Sequence, residues 1–216
     1  MIDTYPDTLA AMEVHLSSTD PYTTAWGSMR AGLYSFGYIP HSVQDGLYKA
    51  DPYPTYESKF LVRQAIATDV TIEMTVMGAG GAWNVSALVC IEAGGAPKTM
   101  KIWMARMLDH YGPVNFERNM VRDGSDATEI TLAPAECATV TKSFVILDAP
   151  SLSSPENVKF FAWAQDPVYV WDPTSPPIGA AFAEVYQASK ALAPFEGVFV
   201  DGFEAGDTSK WSAVSP

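Results

Sequence analysis

The sequence predicts an α+β chain with three parts: an N-terminal α/β segment over residues 1–67, an antiparallel β-sandwich over 68–192, and a tail over 193–216. Three observations carry this. Two stretches before residue 68 have helical patterning, and a proline and an Asp-Gly pair lie between them. From Thr68 the apolar period switches to two. Short alternating segments then recur between turn signals, as a sandwich requires.

Residues 11–16 read as a short apolar strand. Residues 23–35 (TTAWGSMRAGLYS) read as a helix with Thr or Asp available as caps, and Gly37 breaks it. Ile39-Pro40 opens an extended stretch that ends at the turn signal Asp45-Gly46. Asp51-Pro52-Tyr53-Pro54 reads as a linker whose path proline fixes. Residues 54–67 read as a second helix with proline near its first turn and Phe60, Leu61, Gln64 and Ala65 on one face.

Val70, Ile72, Met74 and Val76 alternate with Thr71, Glu73 and Thr75, the pattern of a half-buried strand. Residues 78–81 turn, 83–91 form the next strand, 94–97 turn again, and 98–108 alternate through Met100, Ile102 and Met104. Strands at 127–132 and 138–146 are joined by a turn at 133–136, and 160–165 follows a Ser/Pro-rich loop. Residues 166–181 hold four prolines and read as a surface loop. Periodicity leaves 182–192 open between a helix and a last strand.

Composition bounds the function. With 48% hydrophobic and 18% charged residues, the chain is globular and not disordered. A net charge of −12 repels phosphate backbones, which excludes nucleic acid as an expected partner. No apolar run is long enough for a transmembrane segment. The start MIDTYPDTLAAM carries acids where a signal peptide carries bases. Ten Tyr, six Trp and 16 Pro give the chain an extracellular look.

Cys90 and Cys137 match no metal or redox spacing. They are two small buried hydrophobes, or a disulfide formed in an oxidising compartment. His15 reads as structural at a strand end and His110 as a loop residue. Asp201, Glu204 and Asp207 read as a solvated acidic turn, with calcium as the alternative. Asn84-Val85-Ser86 is a formal glycosylation acceptor inside a predicted strand. Tyr and Trp clusters at 22–38, 48–56 and 163–171 either form a binding surface or pack the contact between the two parts. No Gly-x-Ser-x-Gly, Walker loop, dinucleotide fingerprint or His-Glu-x-x-His occurs. The sequence therefore names no catalytic residue, no metal-ligating set and no cofactor.

Two groups of residues carry a family resemblance. The first is His15, Asp20-Pro21-Tyr22, then Gly37-x-Ile39-Pro40 and Asp45-Gly46. It resembles the middle of a thioredoxin-like domain. The second is the run 161–166 (FAWAQD) with 184–188 (EVYQA). Together, over about residues 8–190, they are similar to bacterial envelope proteins that join a thioredoxin-like domain to an immunoglobulin-like domain. The resemblance implies a hairpin from the second pair of segments, hence a strand at 184–188. It implies a cis Ile39-Pro40 bond facing a Cys-x-x-Cys pair, although no cysteine precedes Cys90. It also implies an earlier strand and helix, so the chain is expected to begin after a removed or missing segment. Pro40 and His41 become the candidate binding residues, with an ordinary loop as the alternative for His41. The tail VDGFEAGDTSKWSAVSP resembles segments that end some secreted bacterial proteins.

The expected protein is thus non-catalytic, secreted or in the cell envelope, and acts in protein contact, assembly or self-association through the sandwich. One alternative is a thiol–disulfide or peptide-handling protein whose redox cysteines lie upstream of residue 1. Another is a carbohydrate-binding module using Trp163, Trp171 and Trp211.

Overall fold

A computed structural model describes residues 1–34, 42–50, 53–79, 81–111, 117–172 and 180–194. In chain order the elements are α1 (Ala25–Leu33), β1 (Ser42–Gln44), β2 (Tyr48–Ala50), α2 (Tyr56–Gln64), β3 (Val70–Ala79), β4 (Ala82–Ile91), β5 (Lys98–Leu108), β6 (Met120–Gly124), β7 (Thr128–Leu132), β8 (Cys137–Val145), α3 (Ala149–Ser153), β9 (Val158–Gln165), β10 (Val170–Asp172), β11 (Ala180–Phe182) and β12 (Val185–Leu192). None of these helices is long and apolar enough to cross a membrane.

The fold is mostly antiparallel sheet. Strands β3, β4 and β8 form one sheet in that order. The other runs β12-β9-β5-β6, with β7 continuing the β6 edge along the first half of β5. Period-two patterning places the core between them. Trp83, Val85, Ala87, Val89 and Ile91 of β4 face Met100, Ile102 and Met104 of β5 and Phe160, Ala162 and Ala164 of β9. The opposite face of β5 and β9 is apolar too. Trp103, Ala105, Met107, Phe161 and Trp163 form a second cluster under Ala10, Val14, Trp26 and Leu33. The five-stranded sheet is therefore covered on both faces, and its outer face meets residues 1–34.

Helix α1 starts at Thr24, whose side chain accepts from the Gly27 N–H at 3.0 Å. Its Trp26 lies flat over Gly124, where a Cβ would stand 2.0 Å from the indole. The Trp26 Nε1–H donates to the Ser125 carbonyl at 3.0 Å. The Asp45-Gly46 signal gives the β1–β2 hairpin. Both residues have positive φ (47° and 70°), and Leu47 N–H donates to Gln44 O at 3.1 Å, as in a type I′ turn. That turn docks on the start of β12: Val185 N–H donates to Asp45 O at 2.8 Å, and Ala183 N–H to Gly46 O at 3.1 Å.

An ion-pair knot ties the N-terminus down. Asp109, its side chain 2% exposed, accepts from Arg118 Nε at 2.7 Å, from Lys159 Nζ and from the Asn119 N–H. Arg118 also donates to both carboxylate oxygens of Asp3. Burial alone would raise the Asp109 carboxyl. The two cations outweigh it and hold that carboxyl well below the usual carboxylate range.

Several expectations are corrected. Residues 11–16 are not a strand: Glu13 alone forms a bridge, parallel to Met120, donating its N–H to Asn119 O and accepting from the Val121 N–H. The helix expected over 54–67 is α2 after a 3-10 turn, and of its four face residues Phe60 is buried while Leu61 is 43% exposed. The loop over 166–181 contains the pairing of β10 with β11. The stretch 182–192, left open between helix and strand, holds the end of β11 at Phe182 and then strand β12 (Val185–Leu192), which pairs antiparallel with β9. Elements β6 and α3 were not anticipated. Cys90 and Cys137 are not buried. They lie opposite each other in the β4–β8 register, bonded with S–S 2.06 Å and Cα–Cα 4.1 Å.

Candidate functional site

A cleft of about 1560 Å³ opens between residues 1–69 and the outer face of the five-stranded sheet. Its floor carries Phe161 and Trp163 of β9. Its walls come from the segment Met1–Ser17, from Trp26 and Arg30 of α1, from the β1 strand, from α2 and from β12. This exceeds the roughly 300–1,000 Å³ of small-molecule sites, so its size suits a polymer segment. Strand β1 runs along it. That strand pairs with β2, and no third strand pairs with it among the described residues. Ser42 Oγ and Gln44 Oε1, both on β1, are shielded from solvent and have no hydrogen-bond partner. Arg63 closes one end, donating through Nε to Asp45 at 3.1 Å and through a terminal nitrogen to Glu184 at 2.9 Å.

Arg30 fixes the floor. It is 5% exposed and lies over Trp103, with its guanidinium carbon 4.3 Å from the ring centroid. Trp103 and Trp163 stack at 6.4 Å, and Trp26 meets both edge-on. The guanidinium donates to Gln165 Oε1 at 3.1 Å, Tyr34 OH at 3.2 Å and Tyr169 OH at 3.1 Å. All three acceptors are neutral, and among the described residues no carboxylate pairs with Arg30. The result is a rigid aromatic wall with a fixed positive charge behind it. Burial raises the Tyr169 hydroxyl above its ordinary range, so it stays a neutral partner.

At the rim, His15 stands among acids. Its Nδ1 lies 2.7 Å from Asp20 Oδ2, and its Nε2 lies 3.7 Å from Glu13 and 3.8 Å from Glu117. Burial pushes the Glu13 carboxyl up. The Arg118 backbone N–H opposes this, and the charge of Glu117 adds to it.

Pro40 and His41, the predicted binding residues, lie outside the described residues, as do Trp211, Asp201, Glu204 and Asp207. The aromatic clusters at 22–38 and 163–171 meet each other: Trp26 packs on Trp163 at 6.1 Å and Tyr34 on Tyr169 at 5.9 Å. Of the Trp residues considered for a sugar platform, Trp163 is buried and Trp171 is 52% exposed. Sequence reasoning missed Arg30, Gln165 and the Glu13–His15–Glu117 grouping. Arg30 had one available signal, as a lone cation in a helix of small and aromatic residues.

No protein-family model and no curated protein matches this chain. Among solved structures the chain is similar to HBP35 of Porphyromonas gingivalis, at 10% identity and a TM-score of 0.58, over 84% of this chain. The chain spans 62% of that protein's length, and the likeness is one of fold. A protein from Archaeoglobus fulgidus aligns over 58% of this chain and 96% of its own, at 10% identity and a TM-score of 0.22, too low to carry an argument.

Proposed function

We propose that this chain is a non-catalytic binding protein of the cell envelope or exterior, which takes an extended polypeptide segment into the cleft beside β1. The observation that carries the reading is an open strand edge along a polymer-sized cleft. Strand addition supplies main-chain hydrogen bonds to such an edge, and half-buried Trp26 in the cleft wall supplies aromatic contact for a side chain. The chain divides at residues 67 and 192 in this reading. The order α1, β1, β2, α2 supports residues 1–67 as part of a thioredoxin-like domain. The strand orders β3-β4-β8 and β12-β9-β5-β6 support an immunoglobulin-like sandwich over 68–192. The Cys90–Cys137 bond supports an oxidising compartment.

The test is fluorescence anisotropy with a labelled, reduced and alkylated unfolded polypeptide. Saturable binding is expected. It should weaken at least about tenfold, roughly 1.4 kcal/mol, in Ala188→Trp, which fills the cleft from an exposed position on β12. Equal binding by that variant at unchanged melting temperature, or no binding at all, would sink the reading. The same order of elements favours a second reading, peptide handling with a Cys-x-x-Cys upstream of Met1. It requires that pair in the encoding sequence.

A further inference from the structure

We propose that Glu13, His15 and Glu117 form a binding site for one divalent transition-metal ion, zinc foremost. The inference stands apart from the polypeptide reading, because it concerns a side-chain cluster at the cleft's rim and needs nothing inside the cleft.

The ligand atoms are already gathered. One nitrogen and two carboxylate oxygens lie within 4.8 Å of one another. Around zinc, donors at about 2.0–2.2 Å in tetrahedral geometry stand about 3.3–3.6 Å apart. The His15 separations of 3.7 and 3.8 Å therefore need only a small closure.

The imidazole is set for the role. Asp20 holds Nδ1 at 2.7 Å and is itself anchored by accepting from the Tyr22 N–H at 2.8 Å. In the tautomer with its proton on Nδ1, donated to Asp20, Nε2 presents a lone pair, the arrangement that orients a metal-bound histidine. That Nε2 atom is shielded from solvent and has no hydrogen-bond partner. It faces two carboxylates, which are acceptors as well. Nε2 and the two carboxylates converge with no cationic side chain among them, an arrangement that favours a bound cation.

Both glutamates are placed by backbone pairing. Glu13 bridges Met120, and Glu117 bridges Tyr111. The nearest cation, Arg118, is engaged by Asp109 and Asp3 and donates only its backbone N–H to Glu13, at 3.2 Å. The donor chemistry selects the ion. An imidazole nitrogen with two carboxylates suits zinc and its first-row neighbours, whereas calcium and magnesium prefer all-oxygen shells. Three protein ligands leave a fourth position for water or for an oxygen donor from a partner.

The test is zinc titration of the chelator-treated full chain by calorimetry, with cobalt(II) absorption as a second readout. One equivalent of zinc is expected to bind at micromolar or lower concentration. Asp20→Asn should weaken it by about 10–100-fold, and His15→Ala and Glu117→Gln by more. His110→Ala, which alters an exposed histidine outside the cluster, should leave it unchanged. The visible cobalt bands should vanish in His15→Ala. Circular dichroism of each variant separates ligand loss from misfolding, and Glu117→Gln keeps the side-chain shape. Tight zinc binding that survives both His15→Ala and Glu117→Gln, or less than one equivalent bound by the parent chain, overturns the proposal.

Discussion

Asp109 shows how much one side chain can hold. It sits at the end of β5, and its two cations come from Arg118 before β6 and Lys159 in β9. One carboxylate therefore joins three pieces of chain and, through Arg118, the N-terminal Asp3. In an unfolded chain an aspartate ionises near pH 4, while here it is held lower. Its contribution is therefore complete above about pH 4 and is lost as pH falls below that toward the folded value. Asp109→Asn removes the buried carboxylate from two half-buried cations, of which Arg118 keeps Asp3, and should cost about 2–3 kcal/mol at pH 7. The gap between variant and parent should narrow as urea denaturation is repeated below pH 4. A gap independent of pH would mean that the carboxylate's charge plays no part. Nothing in the sequence marked this residue. Asp109-His110-Tyr111 reads as loop, and its partners lie 9 and 50 positions away.

At the scale of elements, the sandwich strands were legible because both signals, period and turn, lie within ten residues. The alternation Val70 to Val76 and the Asp45-Gly46 turn are local facts. Strand β6 (MVRDG) has no alternation, and its pairing slips in register between Arg106 and Met107. Only its neighbour makes it a strand. The segment 11–16 errs the other way: it is apolar as a strand would be, yet Glu13 alone pairs with the β6 edge. The docking of the hairpin is the sharpest element-level prediction. A Cβ on Gly46 would stand 1.8 Å from the Ala183 carbonyl oxygen, at a φ of 70°. Gly46→Ala should cost about 2–4 kcal/mol, measured by urea denaturation, and should free the β1–β2 turn from β12 in hydrogen exchange. A variant of unchanged stability would show that the hairpin does not sit there.

For the whole molecule, the decisive surface is the contact between residues 1–34 and the five-stranded sheet. It unites residues far apart in sequence: Trp26 with Trp163, Arg30 with Gln165, His15 with Glu117. The candidate site lies in that contact, so the aromatic clusters were visible in the sequence while their meeting was not. Period-two patterning predicts one buried face per strand, and β5 and β9 have two. A chain begun at residue 68 would expose Trp103, Phe161 and Trp163. It should bind a hydrophobic dye and self-associate in analytical ultracentrifugation, whereas the full chain should do neither. A monomeric, dye-silent fragment would mean that the sandwich does not need its cover.

The bond between Cys90 and Cys137 has a mechanical side. It closes a covalent ring around β5, β6 and β7, so the strand that pairs with β6, β7 and β9 lies inside a loop of the chain's own making. Tension applied at the two ends would travel from β4 directly into β8 and bypass that ring. With 47 positions shielded, roughly 160 Å of extension would be withheld from any pull on the molecule. The centre of the sheet would slacken only after its neighbours had been peeled away, or after the sulfurs had been parted chemically.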